Sequence, residues 1–177
     1  MEASGSGIVA FETQLGRCAV RWSDHGITSV LLPGRTAEGA PAIEDGVDIP
    51  AFVRQAIAGM TAVLAGGRID LRDVPIDRPD VDDFRRAVYE ATREIPAGST
   101  WSYGQVARAI GLERPDGARD VGAALARNPT PIIVPCHRVV GADGRLTGFS
   151  APGGLETKRR MLELEGAPGY GQQELFG

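Results

Sequence analysis

Ser102-Tyr103-Gly104-Gln105-Val106-Ala107-Arg108-Ala109-Ile110-Gly111 opens with a capping box, a serine followed three residues later by a glutamine. Each side chain can satisfy a backbone N–H at the start of a helix. Val106, Ala109 and Ile110 give that helix an apolar face, and Gly111 ends it. A turn around Arg114-Pro115-Asp116-Gly117 leads to a second helix from about Ala118 to Arg127, closed by Asn128-Pro129. Helix, short glycine-containing turn and helix is the helix-turn-helix plan, a pattern many helix pairs share. The second helix is unusual in its Gly122, Ala123 and Ala124, which leave it thin enough to lie close to a nucleic-acid groove.

Working outward, Asp82 or Asp83 can cap a preceding helix whose stripe is Phe84, Val88, Ala91 and Ile95, with Pro96 as its stop. On the other side, Ile132-Ile133-Val134 reads as a buried strand delivering Pro135-Cys136-His137-Arg138. A glycine-rich loop and a last helix from Leu155 to Glu165 follow, and Gly166 ends the helix. The first half reads differently. Ile8–Phe11, Arg17–Trp22 and Ile27–Leu32 form a meander of hairpins. A loop over 33–49 and a helix from about Ala51 to Leu64 come next, the helix carrying Phe52, Ala56, Met60 and Val63 on one face. Asp70–Pro79 suggests a short strand and a linker. The expected fold is an α/β N-terminal domain (1–78), a small antiparallel sheet with a helix. A mainly α C-terminal domain (79–166) with a helix-turn-helix, winged-helix-like, follows it, and 167–177 is expected as a flexible tail.

The composition, 42% hydrophobic and 24% charged, is that of a soluble globular protein, and no run of eighteen apolar residues predicts a membrane span. The start lacks the basic and apolar regions of a signal peptide. Two cysteines, Cys18 and Cys136, suggest neither a disulfide framework nor a zinc cluster, and a reducing, intracellular setting is expected. The net charge is −4, yet Arg85–Arg160 holds 12 basic against 7 acidic residues. A locally basic segment suits a modest DNA footprint, and charge alone fits a solvated face equally well.

Chemistry concentrates at Cys136-His137. A thiol is a useful nucleophile only as thiolate, and an imidazole beside it is the usual means of making one at neutral pH. The bland alternative is an inert core cysteine. Glu165 falls three and four positions after Leu162 and Met161, on the apolar side of the last helix, and at a C-terminus where a carboxylate opposes the helix dipole. A buried acid there needs a partner. Glu163, its rival, points outward.

Asn128-Pro129-Thr130-Pro131-Ile132-Ile133-Val134-Pro135-Cys136-His137-Arg138-Val139-Val140 resembles the active-site signature of the O6-alkylguanine-DNA alkyltransferases, the methylated-DNA–protein-cysteine methyltransferases. Ser102–Ala107 and Ala118–Gly122 resemble that family's helix-turn-helix, and Gly153–Lys158 with Leu164–Gly166 its terminal helix. The resemblance covers roughly residues 80 to 166. It implies a DNA repair protein that flips out O6-alkylguanine, with O4-alkylthymine as a further substrate, and moves the alkyl group irreversibly to Cys136. Each molecule would act once. His137 would be the base, working through a water, Glu165 would orient it, Tyr103 would donate a proton or a hydrogen bond to the guanine ring, and Asn128 would brace the turn. Arg119 would fill the gap left by the flipped base. Gly122 and Ala123 would let their helix into the minor groove beside Ser102. Pro131, Val139 and Ser150 would line the substrate pocket.

The implied partner is double-stranded DNA with alkylated guanine, bound by a monomer in the cytoplasm, at the nucleoid. No cofactor and no metal are implied, since Cys18 and His25 are too few for zinc. Two departures stand out: residues inserted between Tyr103 and Arg119, and a longer loop over Gly148–Gly154. An alternative function is a non-catalytic alkyltransferase-like sensor of alkylated DNA, but such relatives replace the cysteine, and Cys136 speaks against it. A transcriptional regulator would leave Cys136, His137 and Glu165 without purpose. Gln172-Gln173-Glu174-Leu175-Phe176 fits a loose pattern for docking on the replication sliding clamp.

Overall fold

The computed structural model describes residues 5–171, so the clamp-like segment Gln172–Phe176 lies outside the described residues. Strands β1 (Gly7–Thr13), β2 (Gly16–Ser23) and β3 (Gly26–Leu31) form the expected antiparallel meander in the order β1-β2-β3. Val9 faces Val20 and Phe11 faces Cys18 across the first pair, and Val20 faces Val30 across the second. Strand alternation sends these residues to the main core, while Ala10 and Ala19 face the other way. Alanines there leave room for a short helix, α1 (Arg35–Glu38), whose Ala37 packs on them. With a turn of 3₁₀ helix at Ile43–Asp45, it gives structure to the segment expected as loop.

Helix α2 (Ala51–Val63) covers the sheet with Val53, Ala56, Ile57, Met60 and Val63; Phe52 sits at the margin, so the apolar face is rotated from the one expected. Segment 70–79 holds no strand. Only Ile76 bridges to Ile27, because Pro75 and Pro79 lack the N–H groups that a ladder needs.

Helix α3 (Asp83–Arg93) is capped by Asp82, which accepts from Arg85 N at 2.8 Å. It buries Val88, Tyr89 and Thr92, whereas Phe84 is 36% exposed. The Tyr89 hydroxyl donates to Ala124 O at 2.8 Å and ties α3 to the helix-turn-helix. That pair is α4 (Tyr103–Ala109) and α5 (Gly117–Ala126), introduced by β4 (Trp101–Ser102), which runs parallel to β5 (Val139–Val140). The Ser102–Gln105 capping box forms as expected, at 3.0 and 2.7 Å.

Ile132–Val134 is a tight turn rather than a strand, with Val134 N donating to Thr130 O at 2.9 Å. Ile132 takes φ +73°, a left-handed conformation that costs a β-branched residue about 1–3 kcal/mol. Against this, Ile132 and Ile133 are buried in the core of the N-terminal sheet, beside Met161, at about 1.5–3 kcal/mol each. Burial wins, so tertiary packing overrides a run that reads as β.

Helix α6 (Gly154–Leu164) ends at Glu165, and left-handed Gly166 (φ +73°) turns the chain so that Ala167 N reaches Leu162 O at 3.0 Å. Ala167 is buried against Val140 and Leu162, and the Tyr170 hydroxyl donates to Gly144 O at 2.7 Å. The packed chain therefore continues past the expected boundary at 166.

Candidate active site

After Pro135 the chain makes one turn of 3₁₀ helix, Cys136–Arg138, with Arg138 N donating to Pro135 O at 2.9 Å. This lets three consecutive side chains part company. Cys136 keeps 9% of its surface exposed, His137 none and Arg138 5%.

Behind the thiol, Glu165 Oε1 accepts from His137 Nε2 at 2.8 Å and from Arg138 Nη2 at 2.7 Å. Its Oε2 accepts from Arg138 Nε at 2.9 Å, and Arg138 Nη1 donates to Ile95 O at 2.6 Å. Burial pushes the Glu165 carboxyl up, but His137 and the two-pronged Arg138 outweigh it and hold it at about 2. For His137, burial leads and the Arg138 and Lys158 charges add to it. Despite the opposing pull of Glu165, the imidazole titrates below its ordinary value and is neutral at neutral pH. An ionised carboxylate only accepts, so Nε2 carries the proton and Nδ1 the lone pair. Nδ1 has no hydrogen-bond partner among the described residues. Burial also raises the Cys136 thiol, and Asn128 and Lys158 only partly offset that. The resting site is thus thiol, neutral imidazole and carboxylate.

Asn128, at the end of α5, holds the turn from inside. Its Oδ1 accepts from Thr130 N at 3.0 Å and its Nδ2 donates to Val134 O at 2.9 Å. From the sheet, Val30 N donates to Pro129 O at 2.9 Å.

Cys136 opens into a groove of about 910 Å³. One wall is α5, with Arg119, Gly122 and Ala126; another is the loop Thr147–Pro152; a third comes from β3 and α1, with Arg35 and Thr36. The Ser150 hydroxyl donates to Ala126 O at 2.8 Å, joining loop to helix. Tyr103 donates to Thr147 O at 2.9 Å and accepts from Lys158 Nζ at 3.2 Å.

Of the residues expected at the site, Cys136, Tyr103, Asn128, Arg119, Gly122, Pro131 and Ser150 all line this groove, and His137 and Glu165 stand behind it. Ala123 is on the exposed face of α5, outside the lining. The Ser102 hydroxyl is committed to its helix cap. Val139 is corrected: it is fully buried opposite Trp101, because pairing with β4 turns it into the core. Sequence reading missed Arg138 and Lys158, although Arg138 follows His137 directly. Cys18 is buried in the sheet, which pushes its thiol up to about 11, and no group of three metal-ligating side chains occurs among the described residues.

A thiol with a buried imidazole–carboxylate pair at its back, opening beneath a helix-turn-helix, defines a protein that presents a cysteine nucleophile to what those helices hold. Residues 83–167 match the family described as 6-O-methylguanine DNA methyltransferase, DNA binding domain. The methylated-DNA–protein-cysteine methyltransferase of Methanosarcina acetivorans is 37% identical over 158 residues, 89% of this chain and 96% of its own length. A protein of the same name from Mycobacterium tuberculosis is 45% identical over 116 residues, 66% of this chain and 67% of its own. The crystal structure of M. tuberculosis OGT in complex with DNA superposes with a TM-score of 0.69 at 35% identity, covering 92% of this chain and 95% of that one. The O6-methylguanine-DNA methyltransferase of Pyrococcus kodakaraensis gives 0.67 at 27% identity, covering 90% and 99%. The chain belongs to the methylated-DNA–protein-cysteine methyltransferase family.

Proposed function

We propose that this protein repairs DNA by flipping O6-alkylguanine out of the duplex and transferring the alkyl group to its own Cys136. The observation that carries the proposal is the buried His137–Glu165 pair, 2.8 Å apart, behind a thiol that opens into the groove beside α5. With Nε2 bound to Glu165, Nδ1 of His137 receives the thiol proton through a water as substrate binds. The Cys136 sulfur attacks the alkyl carbon. An S–C bond forms, the C–O6 bond breaks, and its electron pair passes into the guanine, which takes a proton from the Tyr103 hydroxyl. A thioether does not hydrolyse, so each molecule acts once.

The target atom is inaccessible inside the stack, so the base must leave it. Exposed Arg119 on α5 is suited to fill the gap, and the small Gly122 and Ala123 suit close approach to a minor groove. We assign this work to residues 79–166, with residues up to 78 as support, acting as a monomer on chromosomal DNA in the cytoplasm. Pro131 and Ser150 would contact the flipped base. O4-alkylthymine presents the same kind of leaving oxygen and would be a second substrate.

Intact-mass spectrometry after incubation with an O6-methylguanine duplex should find a single methyl on Cys136, and none in Cys136→Ser. Methyl loss from DNA without protein methylation would contradict the mechanism. For the tail, Gln172–Phe176 is proposed to dock on the bacterial sliding clamp. Clamp binding that survives deletion of 172–177, or is missing in the full chain, rules that out.

A further inference from the structure

This chain has 18 arginines and a single lysine. The lysine, Lys158 on α6, is completely buried. Taking an ammonium out of water costs several kcal/mol, so such a placement needs compensation or a task. Nζ donates to Thr147 O at 2.9 Å and to Tyr103 Oη at 3.2 Å, and stands 5.5 Å from the Tyr103 ring centroid. Among the described residues, no carboxylate forms an ion pair with it. Its charge is instead felt in the site, where it helps to pull both Cys136 and His137 downward against or along with burial.

We infer that Lys158 is a positioning residue for alkyl transfer, holding the Tyr103 hydroxyl and stabilising the phenolate left there when Tyr103 gives up its proton. The inference rests on the alkyl-transfer reading. As the C–O6 electron pair moves into the guanine, Tyr103 loses a proton to the ring and gains a negative charge. Lys158 puts an ammonium 3.2 Å from the oxygen where that charge appears, and no partner has to move. Arginine, which this chain uses at every other cationic side chain except histidine, would not serve. A guanidinium is broad and planar, whereas an ammonium is a compact point charge with donors for both oxygens.

A rival account makes Lys158 a strap that fixes the loop at Thr147. A double-mutant cycle separates the two. Single-turnover methyl transfer from an O6-methylguanine duplex is timed for wild type, Lys158→Met, Tyr103→Phe and the double variant, with the Cys136 adduct read by intact mass. Acting through Tyr103, Lys158→Met slows wild type by about 10²-fold and slows the Tyr103→Phe protein little further. Equal slowing in both backgrounds overturns the inference in favour of the strap. Lys158→Gln guards against a misfolded methionine variant, since it retains a donor without charge; a full rate in that protein also overturns the inference. If wild-type Cys136 gains no methyl, the alkyl-transfer reading itself fails. A methylated wild type with unchanged Lys158 variants removes only the role of Lys158.

Discussion

Glu165 and Cys136 carry opposite perturbations, and each has a measurable consequence. An ordinary glutamate titrates near 4.5 and Glu165 at about 2, so its carboxylate stabilises the fold fully above about pH 4.5. That contribution, about 3 kcal/mol, is lost as pH falls toward 2. His137 is also lowered, so the unfolded imidazole takes its proton first and acid below about 6.5 acts in the same direction. Urea midpoints should therefore fall from pH 7 to pH 3. Glu165→Gln should be less stable at pH 7 and show a shallower fall below pH 4.5; an identical slope would show that the carboxylate is not the sensitive group. The thiol is raised above its ordinary 9.0, so free protein should react slowly with iodoacetamide at pH 7.5 and faster only at higher pH. Fast carbamidomethylation of Cys136 at pH 7.5 would instead reveal a standing thiolate.

At the level of elements, the segment between α5 and the 3₁₀ turn is bridged from within by one side chain, Asn128. Asn128→Ala leaves Thr130 N without its acceptor and Val134 O with Cys136 N as its one remaining donor, a loss of about 1–3 kcal/mol. Thermal unfolding should show that loss, and methyl transfer should slow beyond what DNA affinity explains, because Cys136 follows directly on Pro135. A normal transfer rate would mean that Val30 and the buried isoleucines suffice. This segment also marks the limit of reading from sequence. Capping boxes and stripes are local, so α4, α5 and the inward Glu165 were legible from residue types and spacing. Ile132-Ile133-Val134 was not, because its partners are Met60, Met161 and the sheet, far away in the chain. Val139 misled for the same reason. Lys158 stayed hidden because lysine is ordinarily a surface residue, and its solitude among arginines was the one available signal.

Taken whole, the molecule is less divisible than its sequence suggests. The N-terminal sheet and α2 share one core with Ile132, Ile133 and Met161, while Val134, Cys136 and Val139 belong to the core of the helix-turn-helix. The nucleophile's turn therefore has a foot in each. A fragment of residues 79–171 should expose those three apolar side chains and unfold at lower urea than the full chain, or aggregate. Equal stability of fragment and full chain would make the first half dispensable. The only lysine has one more consequence. Reagents and enzymes that modify amines find no accessible side chain on the folded body, since Lys158 is enclosed between α6, Tyr103 and the loop at Thr147. An isopeptide-linked tag on a lysine could be attached only after this region opens, so such a tag would report unfolded molecules and leave intact ones unmarked.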